Sequence, residues 1–190
     1  MKKIISLFQR NHDGDRLVRD EVVPGAEWVI AGEGTATRKF DGTACRVRAG
    51  LLFKRYDAKG GRTPPLGFEP SQEQPDPVTG HWPGWMLVSQ DAPEDRWFLE
   101  AWIPGLPDGT YELCGPKVQG NPEGFQKHTL VQHGAEPING DPRSYTEIKH
   151  FFACGQAIEG IVWHHSDGRM VKIKAKDFGI RRLVGWPVKM

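Results

Sequence analysis

The chain has little cysteine: Cys45, Cys114 and Cys154 in 190 residues. An odd count without a C-x-x-C pair excludes a disulfide framework and reads as reduced thiols in an intracellular protein. Long apolar runs are missing as well. The opening Ile4-Ile5-Ser6-Leu7-Phe8 stops at Gln9-Arg10, too short for a signal-peptide core. No stretch approaches the roughly 18 apolar residues of a membrane span. The expectation is a soluble, cytoplasmic chain that uses no membrane. Charge of one sign is also absent: 25 Lys and Arg stand against 24 Asp and Glu, a net +1. That excludes the strongly basic tail of a histone-like binder, though not a basic stripe on one face.

Several familiar patterns are incomplete. Gly32-Glu33-Gly34 lacks the third glycine of a dinucleotide fingerprint. Asp177-Phe178-Gly179 spells a kinase triplet without the catalytic and glycine-rich loops that precede it. His164-His165 and the pair His128 and His133 lack companion ligands at zinc spacing, so they read as packed or hydrogen-bonded histidines. No internal repeat and no heptad is found.

What is present is a globular balance, 38% apolar and 26% charged, on a length that fits a single domain over 1–190. With 23 Gly and 15 Pro the chain is punctuated often. Between these breaks lie short β-like runs: Glu27–Ile30, Thr43–Ala49, Leu51–Tyr56, Trp85–Val88, Thr110–Cys114, Gly160–His164 and Met170–Lys174. Ala49-Gly50 predicts a hairpin turn. Ser144-x-x-Glu147, with Pro142 before it and Gly155 after it, predicts one capped helix whose buried face carries Ile148, Phe151 and Phe152. The fold class is α+β on antiparallel sheets. Residues 60–84 hold eleven Pro or Gly in 25 positions and predict a long irregular insertion, anchored at His81-Trp82-Pro83-Gly84-Trp85.

The stretch richest in chemistry is Arg38-Lys39-Phe40-Asp41-Gly42-Thr43-Ala44-Cys45-Arg46, a K-x-D-G followed by an arginine. Further on come Tyr111-Glu112-Leu113-Cys114-Gly115, then Glu159-Gly160-Ile161-Val162-Trp163, then Val171-Lys172-Ile173-Lys174. A lysine attacks only as the neutral amine, and burial and neighbouring cations favour that form. Lys172 and Lys174 alternate with Val171 and Ile173, so on a strand both face one side, and Lys176 continues that parity. From Arg169 to Met190 seven basic residues face one acidic residue, a local +6 that leaves −5 for the remainder.

Taken in order, these four segments resemble the motifs of the covalent nucleotidyltransferases: ATP-dependent DNA ligases, RNA ligases and mRNA capping enzymes. The resemblance covers residues 39–174. It implies an antiparallel-sheet adenylation domain, ATP-grasp-like, with flanking helices. Only 16 residues follow Lys174, too few for the OB-fold that DNA ligases and capping enzymes carry there. Together with K-F-D-G-T-A-C and the Gly115–Pro122 stretch, this is most similar to small single-domain ATP-dependent RNA ligases. The resemblance implies Lys39 as nucleophile, forming lysyl-AMP. Asp41, Gly42, Arg46, Arg55, Glu112, Glu159, Lys172 and Lys174 would bind nucleotide, and Glu159 and Glu112 would also be ligands of Mg²⁺ or Mn²⁺. ATP and RNA with 5′-phosphate and 3′-hydroxyl ends are the implied partners, and RNA repair the implied setting. The segment His128–His133 lies where the family places its base-stacking strand, with Phe125 as the aromatic candidate. A DNA nick ligase, a capping guanylyltransferase and a non-catalytic nucleotide- or RNA-binding module remain the alternatives. The oligomeric state is open.

Overall fold

Residues 4–60 and 62–183 are described by the structure, a computed structural model. The segment from 184 onward, which includes Lys189 of the predicted basic stripe, lies outside them. The architecture is α+β with mostly antiparallel sheets, and the chain forms two compact units. One, here the Lys39 unit, joins Ile4–Phe40 to the segment from Gly134; the other, the Glu112 unit, is Asp41–His133.

In the Lys39 unit a four-stranded sheet has the order β1 (Ile5–Ser6), β12 (Met170–Lys174), β11 (Gly160–His164), β4 (Thr35–Lys39). Only the β1–β12 pair is parallel. A hairpin of β2 (Phe8–Arg10) and β3 (Val18–Val22) and the helices α1 (Glu27–Ile30) and α3 (Tyr145–Ala153) complete the unit. Along β12, Val171 and Ile173 are buried while Lys172 and Lys174 are half-exposed, as strand alternation requires. The buried residues join Ile161 and Trp163 of β11, and α3 adds Ile148 and Phe152 to the same core. The helix starts where the capping box puts it: Ser144 Oγ accepts from Glu147 N and Glu147 Oε2 accepts from Ser144 N. Gly155 takes a positive φ of 84° just past its end.

Two local expectations fail here. Glu27–Ile30, read as a strand, is a single helical turn with Trp28 and Val29 buried. Four residues are too few for a helical period to show, so the apolar, β-branched run mimicked a strand. Lys176 does not extend the parity of β12. The chain turns into a 3₁₀ segment at Ala175–Phe178, where Asp177 Oδ2 accepts from Lys174 N.

The Glu112 unit is a six-stranded antiparallel sheet. Its order is β10 (Thr129–Gln132), β9 (Gly109–Cys114), β5 (Thr43–Arg48), β6 (Leu51–Ala58), β8 (Trp82–Leu87), β7 (Glu69–Pro70). The β5–β6 hairpin turns at Ala49 and Gly50, both at positive φ. Cys45, Val47, Leu52, Tyr111 and Leu113 point to one face, where they pack with Ala101 of α2 (Arg96–Ala101). Beside that helix the fully buried Asp95 pairs with Lys54 and accepts from Ser89 N. The insertion over 60–84 is irregular for most of its length but contributes β7 and the first half of β8. Trp85 is buried, and Phe68 stacks edge-on between Tyr56 and Trp82. All three cysteines are free, Cys45 and Cys114 inside and Cys154 exposed. Among the described residues no helix is long and apolar enough to cross a membrane.

Candidate functional site

In the Lys39 unit, strand register assembles one cluster of candidate residues. Gly160 on β11 is paired with Lys39 on one side and Lys174 on the other. Residues directly opposed on neighbouring strands present their side chains to the same face, so Lys39 and Lys174 emerge together, and Lys172 and Thr37 follow two residues along. Glu159 immediately precedes that row. Its Oε2 accepts from Lys39 Nζ at 2.5 Å and its Oε1 pairs with Lys174 Nζ. Lys39 Nζ also donates to the carbonyl of Phe40 at 3.2 Å. A Cβ on Gly160 would stand 2.2 Å from the carbonyl oxygen of Ile173, so only glycine allows β11 and β12 to close at this row.

The electrostatics follow from three ammoniums around one carboxylate. Burial pushes the pKa of Glu159 up, but the charge of Lys39, hydrogen bonds from Lys174 and Lys39, and the charge of Lys174 outweigh it, so the net shift is downward. Lys172 goes the other way. Burial, then the charges of Lys174 and Lys39, lower it to about 8, against the opposing pull of Glu159 and Asp177. NMR titration of the lysine side chains should therefore find one midpoint near pH 8, lost in Lys172→Met; no midpoint below 10 would contradict it. Between that value and the ordinary lysine value of about 10.4 the unfolded chain binds more protons at this group, so its contribution to stability improves as pH rises.

The Glu112 unit holds its own group of the residues singled out from sequence. Gly42 N donates to Glu112 Oε1 at 3.1 Å and Asp41 N donates to Glu123 Oε1 at 2.8 Å. A Cβ on Gly42 would lie 2.2 Å from the carbonyl oxygen of Leu113, which makes glycine obligatory at the start of β5. Arg46 is opposed by Thr110 on β9 and by Phe53 on β6, so it shares a sheet face with Glu112 and Arg55. Arg55 sits 5.3 Å over the Trp85 ring, and burial lowers its pKa despite the charge of Asp57. Two further polar residues lie here: Glu123, not named from sequence, and His133, read from sequence as a packed or hydrogen-bonded histidine, which it is. Glu123 is only 2% exposed and receives the Asp41 amide. His133 holds Glu112 Oε2 at 2.8 Å. His128 packs under α2, its ring stacked on Trp97 with centroids 4.6 Å apart. Phe125 lies in the loop before β10, where its backbone bonds both ways with the Asn121 side chain. Arg38, beside the nucleophile candidate, pairs with Glu136 at 3.1 Å and lies over the Phe40 ring.

Among the described residues no group of three His, Cys, Asp or Glu is arranged to hold a metal. Glu159 and Glu112 are hard oxygen donors, one in each unit. Such single carboxylates fit Mg²⁺, which keeps waters and takes substrate phosphates as further ligands, better than they fit an all-protein cage.

Comparison with known proteins bears on part of the chain. A family model described as RNA ligase 1 matches residues 99–189, just under half of the chain, a span that includes Glu112, Glu159, Lys172 and Lys174. The RNA ligase 1 of Pongo abelii is 35% identical over 117 residues, covering 54% of this chain and 34% of that protein. The RNA ligase 1 of Danio rerio is 34% identical over 122 residues, covering 58% of this chain and 36% of that protein. The chain thus spans about a third of the length of the curated relatives it matches. These similarities support an RNA ligase family for the chain.

Proposed function

We propose that this chain is an ATP-dependent RNA ligase that joins 5′-phosphate and 3′-hydroxyl RNA ends through a lysyl-AMP intermediate on Lys39. The observation that carries the reading is the row Lys39, Gly160, Lys174 with Glu159 held between the two ammoniums. Strand register brings together three segments far apart in sequence, each carrying one of the motifs. The similarity to proteins named RNA ligase 1 supports RNA over the other acceptors.

In the first step Lys39 Nζ attacks the α-phosphorus of ATP. Nζ attacks as the neutral amine, its ammonium proton given up to solvent. A P–N bond forms, the bond from the α-phosphorus to the bridging oxygen breaks, and pyrophosphate leaves with that electron pair. The proton Nζ then sheds passes to Glu159 Oε2 beside it and on to solvent. AMP then passes to the RNA 5′-phosphate, and the 3′-hydroxyl displaces it as the phosphodiester closes. Covalent catalysis divides one hard displacement into easier ones. Glu159 aims Lys39 before attack, because the ammonium and carboxylate are already in contact. Lys172 and Lys174 neutralise phosphate charge as it develops, and Arg46 and Arg55 are the further phosphate-binding arginines that the motif resemblance implies. Asp41 and Gly42 fix the loop after the nucleophile, and Glu112 receives the ribose hydroxyls. Mg²⁺, held by Glu159 or Glu112 with the phosphates, would supply further charge neutralisation at the leaving pyrophosphate.

The test uses purified protein, Mg²⁺, α-labelled ATP or GTP, and RNA or DNA strands with 5′-phosphate and 3′-hydroxyl ends. Label should enter the protein from ATP, move to RNA 5′ ends, and be released as RNA is sealed. Labelling by GTP alone would transfer the reading to capping chemistry. Sealing of DNA but not RNA would overturn the choice of acceptor.

A further inference from the structure

We infer that His133 is a positioning residue for Glu112 and thereby sets the preference for a ribose over a deoxyribose nucleotide; the inference rests on the adenylylation proposed above. Glu112 is 8% exposed and its two oxygens have different partners. Oε1 accepts from the Gly42 amide at 3.1 Å. Oε2 lies 2.8 Å from His133 Nε2, and an ionised carboxylate only accepts, so Nε2 carries the hydrogen. The imidazole is itself fixed from behind: Nδ1 lies 2.9 Å from Thr110 Oγ1, and the His133 amide donates to the Thr110 carbonyl at 3.0 Å. Thr110 and Glu112 are two residues apart on β9 and share one face. His133 follows the last residue of β10, so its ring lies alongside both.

The result is a chain of hydrogen-bonded groups, Thr110 to His133 to Glu112 to the Gly42 amide, that holds each carboxylate oxygen by one partner. Each carboxylate oxygen has two acceptor directions, and each uses one within the protein. One remains on each oxygen, pointed by the partners that hold the other. A pair of neighbouring hydroxyls, as on a ribose, is the ligand that such a clamped carboxylate selects. Without His133, Oε2 loses its charge-assisted donor, and Glu112 can swing about the single bond to Gly42. Contacts of this kind lose most of their value when the acceptor is off by about 1 Å.

The experiment compares adenylylation rates with ATP and with 2′-deoxyATP for the wild type, His133→Ala and His133→Gln, with thermal unfolding of each. The wild type should prefer ATP. His133→Ala should cut the rate with ATP by about tenfold and change the rate with 2′-deoxyATP little, so that the preference collapses. His133→Gln, which retains a side-chain N–H near Oε2, should keep most of it. A structural role alone would slow both nucleotides alike, and that result would overturn the inference. So would an unchanged preference in a folded His133→Ala protein, or a wild type indifferent to the 2′-hydroxyl. A wild type that adenylylates with neither nucleotide would instead remove the proposed function, and this role with it.

Discussion

Lys39→Ala should lose transfer of AMP to the protein by at least about 10⁴-fold while folding normally. A covalent nucleophile has no substitute when its attacking atom is removed, and the residual rate is that of the remaining binding groups. Folding should survive because Lys39 ends an outer strand of its sheet and its side chain is 19% exposed. Truncation leaves Glu159 with Lys174 as partner, so no carboxylate is stranded. The check is α-label retained on the protein after denaturing electrophoresis, beside an unfolding curve. Lys39→Arg should be equally inactive, because guanidinium keeps the charge and the contact with Glu159 but is not a nucleophile at neutral pH. Transfer by either variant would move the nucleophile elsewhere.

Glu159→Gln should damage both stability and transfer. The carboxylate is 11% exposed and pairs with Lys39 and Lys174, while Lys172 stands close enough to be felt. The amide leaves these ammoniums without their anion. The expected cost is about 2–3 kcal/mol, below the figure for a fully buried pair because both lysines still reach water. Transfer of AMP should fall about 10²-fold, as for loss of one preorganised charge at a phosphoryl centre. The pH dependence has a definite sign. The folded-state pKa of Glu159 lies below its unfolded value, so its stabilisation is present above the ordinary carboxylate range and fades as pH falls through the lowered pKa. Unfolding curves from neutral to acid pH should therefore converge for wild type and Glu159→Gln. A constant gap between them would contradict the ion-pair account.

The parts legible from sequence were those where one local rule decides. The K-x-K strand shows its two faces because Val171 and Ile173 must go inside. The α3 start is legible because Ser144 and Glu147 satisfy each other's orphan amides. β4 was not anticipated. Thr35-Ala36-Thr37-Arg38-Lys39 has no apolar alternation, and it is held by pairing with β11 rather than by its own pattern. α2 was missed for a similar reason, since Arg96–Ala101 is too short to show a period after Pro93. In the Lys39 unit the motifs singled out Lys39, Glu159, Lys172 and Lys174, and the pairing of β4, β11 and β12 brings these three distant segments together. Glu123 carried no such signal, and for His133 the sequence indicated a hydrogen-bonded role but not its partner Glu112. A single Glu or His in a loop or at a strand end gives no pattern until strand pairing shows what it holds.

The most direct test is to incubate the protein with ATP and Mg²⁺, digest it, and find by mass spectrometry which peptide carries AMP. The account predicts one modified residue, Lys39, linked through an acid-labile phosphoramidate. AMP on any other side chain, or a folded protein that arrives free of AMP and acquires none, would contradict it.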